Sequence, residues 1–143
     1  SGMLGAIIHA FYDRYNQVAN QYIDPDIEWG VREKRRLMAV VEFLYHDPMA
    51  PVILGKMART NQVAAVESAR HEEMIEMAIR NINSGIRRGD IGSHIDPTIA
   101  GAAITGAIRS GIMHAMARDP QPDPAKLTHQ IWGMIAGALD IAR

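Results

Sequence analysis

The sequence predicts an all-α fold, a six-helix bundle whose last two helices form a four-helix interface with a second copy. Three observations carry this. No run alternates with a period of two, whereas apolar residues recur at steps of three and four along the chain. Five of the seven prolines follow an aspartate, at Asp24-Pro25, Asp47-Pro48, Asp96-Pro97, Asp119-Pro120 and Asp123-Pro124. Such pairs stop one helix or cap the next. The last two segments carry few charges and many small residues, which leaves an apolar face that a single copy does not cover.

At 143 residues the chain is long enough for one domain with a core. The formal net charge of −1 argues against a nucleic-acid-binding surface, which is normally basic. There are no cysteines, which rules out disulfides, thiolate metal sites and cysteine nucleophiles. Arg109 and His114 interrupt the best candidate for a membrane span, and no signal-like segment opens the chain, so a cytoplasmic protein with no membrane partner is expected. Ser1-Gly2 ahead of Met3 reads as the remnant of a tag, leaving 3–143 as the domain.

The first helix is predicted from about Met3 to Tyr22. Leu4, Ile8, Phe11, Tyr15, Val18 and Tyr22 form one apolar stripe, widened by Ile7 and Tyr12. The second runs from about Ile27 to Tyr45 around Leu37, Val40, Val41 and Leu44, with Glu33-Lys34-Arg35-Arg36 expected on a solvated face. A short helix follows from Pro48 to about Ala58. The fourth, from about Asn61 to Arg88, carries two stripes. Val63, Val66, Met74 and Met77 form one, and Ile75, Ala78, Ile79, Ile82 and Ile86 the other; Glu67, Arg70, Glu73 and Arg80 are expected toward solvent.

Gly89, after Arg87-Arg88, suits a left-handed helix stop. Asp96 then caps a fifth helix with Pro97 in its first turn. Between Thr98 and Ala117 the only Asp, Glu, Lys or Arg is Arg109. The sixth helix runs from about Pro124 to Ala142, with Ile131, Met134, Ile135, Ala138 and Ile141 on one side and Trp132 and Leu139 on another. Interior glycines cost about 1 kcal/mol each relative to alanine, so their recurrence here suggests backbones that approach closely. The expected partner is a homodimer mate, met through Ala102, Gly106, Ser110, Gly111, Met113, Trp132, Gly133, Ala136, Gly137 and Leu139.

Three stretches resemble the C-terminal domain of the tetracycline-repressor (TetR) family of bacterial transcriptional regulators. Ile82 to Ile108 resembles that family's long central helix, its basic-Gly-acidic turn and the Asp-Pro entry into an alanine-rich helix with a Gly-Ala-Ile-Arg centre. Val40 to Met57 resembles the helix that stops at Asp-Pro and restarts as a short one. Trp132 to Leu139 resembles the final interface helix, and Met3 to Ile8 the start of the helix that leaves the DNA-binding domain. The resemblance implies an effector-binding and dimerisation domain. Operator DNA would be contacted only through a helix-turn-helix domain ahead of Met3.

A small, mostly apolar effector is then expected between the first, second, fourth and fifth helices. The nine methionines suit an adaptable lining. Candidates are Phe11, Tyr15, Phe43, Leu44, Met57, Val66, Arg70, His71, Met74, Met77, Ile104 and Ile108, with Tyr15 and His71 as orienting polar groups.

Two carboxylate–imidazole pairs stand one helical turn apart, Glu42 with His46 and Glu67 with His71. A metal protein or enzyme using His46, Glu67 and His71 is the alternative; a ligand-free dimerisation module is another. The Glu-x-x-His spacing of di-iron bundles and His-Glu-x-x-His are both absent. No nucleophile elbow, dinucleotide fingerprint or phosphate loop occurs either, so neither catalysis nor a cofactor is expected.

Overall fold

The computed structural model describes residues 2–21, 23–55 and 61–143. They form six helices: α1 (Gly2–Ala19), α2 (Trp29–His46), α3 (Ala50–Leu54), α4 (Asn61–Arg87), α5 (Pro97–Met116) and α6 (Pro124–Leu139). No strand occurs among the described residues, so the fold is an all-α bundle. The closest pairings are α4 with α5 and α2 with α6; α1 lies against both α2 and α4, and α5 meets α6. No helix among the described residues is long and apolar enough to cross a membrane.

The stripes of α1 and α2 meet in the core. Ile8, Phe11 and Tyr12 of α1 are buried, as are Leu37, Val40, Val41 and Leu44 of α2. Opposite them lie Ile82 of α4, Ile112 of α5 and Ile131, Trp132 and Ile135 of α6. Each such side chain contributes about 1.5–3 kcal/mol relative to leaving it in water.

The helix entries follow the Asp-Pro logic. Asp96 accepts from the backbone N–H groups of Thr98 at 2.9 Å and Ile99 at 3.2 Å, and Pro97 occupies the first turn. Asp123 does the same for Ala125 at 3.1 Å and Lys126 at 3.3 Å. After α4, Gly89 takes φ 81°, the Asp90 N–H donates to the Gly85 carbonyl at 2.9 Å, and the Gly89 N–H to that of Ile86 at 3.0 Å. This closes the helix with a left-handed residue. Ile91 folds back over Gly85 so tightly that a methyl group there would sit 2.6 Å from its Cδ1.

Several boundaries differ from expectation. Helix α1 stops at Ala19, where the Asn20 side chain takes up the Asn16 carbonyl at 2.9 Å. Tyr22 lies outside the described residues. Helix α3 begins at Ala50 rather than Pro48, because the Asp47 carboxylate holds the Met49 N–H at 2.9 Å in a turn. Helix α6 ends at Leu139: Asp140 adopts φ 56°, and the Ile141 N–H reaches the Ala136 carbonyl at 3.0 Å.

Burial corrects other expectations. Glu33 and Arg36 are turned inward rather than solvated, paired at 2.7 Å. Glu67 is buried, with Arg109 3.7 Å away. The Arg70 side chain is only 14% exposed, because it lies across α1 against Asp13. Conversely, Met134 is 69% exposed and Ala138 is exposed, although both fall on the expected core stripe of α6.

Candidate functional site

Six helices leave a cavity of about 150 Å³ between them, α3 contributing Leu54 alone among the described residues. Phe11, Tyr12 and Tyr15 come from α1, Leu37, Val40 and Leu44 from α2, and Met74, Met77 and Ile82 from α4. Helix α5 adds Ile104, Ile108 and Ile112, and α6 adds Trp132 and Ile135. The space is of the size that holds one benzene-like molecule. Its aromatic wall is mutually braced. Phe11 and Tyr12 lie edge to face at 5.2 Å between ring centroids, and Tyr12 and Tyr15 at 6.4 Å.

Polar groups enter this lining at two places. On the α5 side stand Thr105 and Arg109, facing Tyr12 and Tyr15 of α1. Thr105 donates its hydroxyl to the Gly101 carbonyl at 2.8 Å, which leaves its oxygen as an acceptor. The Arg109 guanidinium donates to the Tyr12 hydroxyl at 3.5 Å and lies 3.7 Å from Glu67, both long contacts for a group with five N–H donors. Burial pushes the Tyr15 hydroxyl up to about 12; Tyr12 adds to the shift and Arg109 opposes it. Tyr15 is therefore a neutral hydroxyl at neutral pH.

The α2 side holds Glu33, Arg36 and, across from them, Asn81. Here Arg36 and Trp29 each donate to groups of the chain itself. Arg36 Nε donates to Glu33 Oε2 at 2.7 Å, and its Nη1 donates to the Ala19 carbonyl. The Trp29 indole N–H donates to the Asn81 carbonyl at 2.7 Å. Glu33 Oε1 is buried and has no hydrogen-bond partner among the described residues.

Of the residues expected to line a pocket, Phe11, Tyr15, Leu44, Met74, Met77, Ile104 and Ile108 do so. Phe43 does not; it backs the wall, with its ring centroid 5.7 Å from that of Phe11 and 6.2 Å from that of Tyr15. Val66, Arg70 and His71 also stand outside the lining. The reason is axial position. The cavity runs along the C-terminal half of α4, and eight residues from Val66 to Met74 cover about 12 Å at 1.5 Å per residue. Arg70 instead binds Asp13 at 2.8 Å and His9 at 3.0 Å. The Nδ1 of His71 is buried without a partner among the described residues, and His71 is not part of the cavity lining. Met57 lies outside the described residues.

Sequence reasoning missed Tyr12, Trp29, Glu33, Arg36, Arg109 and Trp132 as lining. A signal existed for Arg109, the lone charge of its helix. None existed for Glu33 and Arg36, which sit in a run of four charged residues.

The expected dimer residues divide. Ala102, Ser110 and Gly137 are exposed, Gly133 and Met113 are half-buried, and nothing lies within 4 Å of a methyl group built on Gly106 or Gly137. Ile99, at 68% exposure, and Met134 share these two helices. Gly111 is half-buried and faces its own α6, with Ile131 3.5 Å from a built methyl group. Trp132, Ala136 and Leu139 are corrected outright: they are buried inside the subunit at 3%, 0% and 2% exposure. Trp132 packs on Trp29, with ring centroids 6.5 Å apart, so its side chain is spent within the chain.

His46, Glu67 and His71 do not converge. Among the described residues no three His, Asp or Glu side chains form a cluster fit for a metal ion. His46 Nδ1 instead bonds to the Glu42 carbonyl of its own helix at 2.7 Å.

No family model matches the chain, and no solved structure matches it. A tRNA(Ile)-lysidine synthase from Salinispora tropica is 27% identical over 114 residues, which are 80% of this chain and 32% of that protein. The chain thus spans about a third of the length of this curated relative.

Proposed function

We propose that this chain is the effector-sensing and dimerisation domain of a regulator of the tetracycline-repressor type. The cavity is the observation that carries the reading. An interior of ordinary density leaves few voids larger than a water molecule, whereas six helices here converge on about 150 Å³ of mostly apolar space with polar groups at its margins. A small molecule bound there would touch α1 through Phe11, Tyr12 and Tyr15. By the resemblance, α1 continues from a DNA-binding segment. Ligand that binds one placement of α1 more tightly than another shifts the population by that difference in affinity. Two DNA-binding heads whose spacing must match half-sites one helical turn apart would then register a small rotation.

The exposed face of α5 and α6, from Ile99 through Gly106 to Met134 and Gly137, supports a homodimer in this reading. Light scattering at micromolar concentration should give twice the chain mass, and Gly106→Arg or Gly137→Arg should give a monomer. A thermal-shift screen with small aromatic molecules tests the sensor. Stabilisation by several degrees is expected, and a library that stabilises nothing would remove the reading.

The Salinispora tropica relative favours a second reading, a helical portion of a protein acting on tRNA(Ile). The net charge of −1 weighs against it, since phosphate neutralisation supplies most of such affinity. Salt-dependent binding of tRNA at micromolar concentration would reverse the ranking.

A further inference from the structure

Resting on the sensor reading, we propose that the cavity selects a small aromatic carboxylate, with the carboxylate held by Arg109 and the Tyr15 hydroxyl. Arg109 is the only charged residue that α5 carries, and it lines the cavity, with its side chain 29% exposed. Its guanidinium is underused: the two polar contacts it makes are 3.5 Å to Tyr12 and 3.7 Å to Glu67, well beyond the 2.7–2.9 Å of a charge-assisted hydrogen bond. Tyr15 lines the same side and is neutral at physiological pH, so its O–H is a donor suited to a carboxylate oxygen.

The opposite side fixes the orientation. Arg36 is ion-paired with Glu33 and also donates to the Ala19 carbonyl, so its charge is already balanced by a carboxylate. Glu33 repels a carboxylate there. The charged head therefore points to α5 and the ring lies against Phe11, Met74, Met77 and Ile108. The volume admits one ring with a short acidic substituent. An amine would meet Arg109 unfavourably at one end and, at the other, a carboxylate already half neutralised by Arg36.

Isothermal titration with benzoate, benzamide, toluene and benzylamine tests this on the whole chain. Benzoate is expected to bind at least tenfold more tightly than benzamide or toluene. Arg109→Gln should remove that advantage by tenfold or more while leaving toluene affinity within twofold. Arg109→Lys should restore part of it. Tyr15→Phe, which keeps the packing, should cost benzoate several-fold and toluene nothing. Toluene and benzoate binding equally well would overturn the carboxylate proposal and leave the sensor intact. Benzylamine binding best, with the preference lost in Glu33→Gln, would also overturn it. If no probe binds, the sensor reading falls and the proposal with it. Far-UV circular dichroism and the toluene affinity of each variant separate a lost contact from a lost fold.

Discussion

Alanine placed at Gly101 and at Gly106 should act in opposite directions, although the change is the same and the sites are five residues apart on α5. At Gly101 a methyl group would sit 2.7 Å from Ile79 Cγ1, 3.1 Å from the Ile79 backbone nitrogen and 3.3 Å from its Cα. Carbon atoms normally approach to about 3.5–4.0 Å. A rotamer change in Ile79 relieves only the first of these contacts, because the other two are to backbone. Helix α5 must therefore lift from α4, and overpacking of this kind costs about 1–3 kcal/mol. Alanine returns about 1 kcal/mol of helix propensity, so Gly101→Ala should lose about 1 kcal/mol net. At Gly106 nothing lies within 4 Å, and only the propensity gain remains. The two variants should differ by about 2 kcal/mol, or by about 6 °C in Tm for a domain of this size. Urea unfolding followed by circular dichroism measures both, at two protein concentrations so that dimer dissociation is separated from subunit stability. Equal shifts, or stabilisation by Gly101→Ala, would refute the close backbone approach of α4 and α5.

Further measurements address other parts of the molecule. The Arg14 guanidinium hydrogen-bonds to Asp47 and holds its carboxyl below the ordinary carboxylate value. Its stabilisation should be complete above about pH 4 and be lost as pH falls through the folded-state value. Asp47→Asn should flatten acid unfolding in that window, and an unchanged acid limb would contradict the pairing. Tyr15 is shifted the other way, to about 12. Its folded state keeps the proton longer than the unfolded chain, so stability should fall as pH rises from about 10 through 12. Tyr15→Phe should remove part of that slope, and absorbance titration should show one fewer late-ionising tyrosine. Trp132→Ala removes a buried ring from the cavity wall and should cost about 3–5 kcal/mol by chemical denaturation. A cost under 1 kcal/mol would place Trp132 outside the core.

The helices were legible because their ends are written locally. Asp96-Pro97, Asp123-Pro124 and Gly89 use side chains and backbone angles that act within one turn. Helix stops that depend on competition for a carbonyl, as at Asn20, or on Asp140 adopting a left-handed angle were not legible, since many residue types tolerate them. Which face of an apolar helix turns inward was half legible. Ile131 and Trp132 fall on neighbouring stripes, and period alone does not say that both are buried while Met134 is exposed. The cavity wall was found where apolar residues recur on α4 and α5. Its axial limits were not, because Val66 and Arg70 share a face with Met74 yet lie about two turns and one turn before it. Long polar side chains such as Arg36 and Arg70 choose partners on other helices, and spacing along one helix carries no record of that choice.

The two attachments of the bundle differ in how they respond to salt. Helix α1 is buried through Ile8, Phe11 and Tyr12 and adds two ion pairs at its margins, Arg14 with Asp47 and Asp13 with Arg70. The partly exposed pairs among these weaken as ions screen them, over a Debye length of about 8 Å at physiological ionic strength. Between α4 and α5 the Glu67–Arg109 pair is screened in the same way, but the contact of Gly101 with the Ile79 backbone is steric, and ions do not screen it. Ionic strength thus acts on the charged margins of the bundle and leaves the Gly101 contact unchanged.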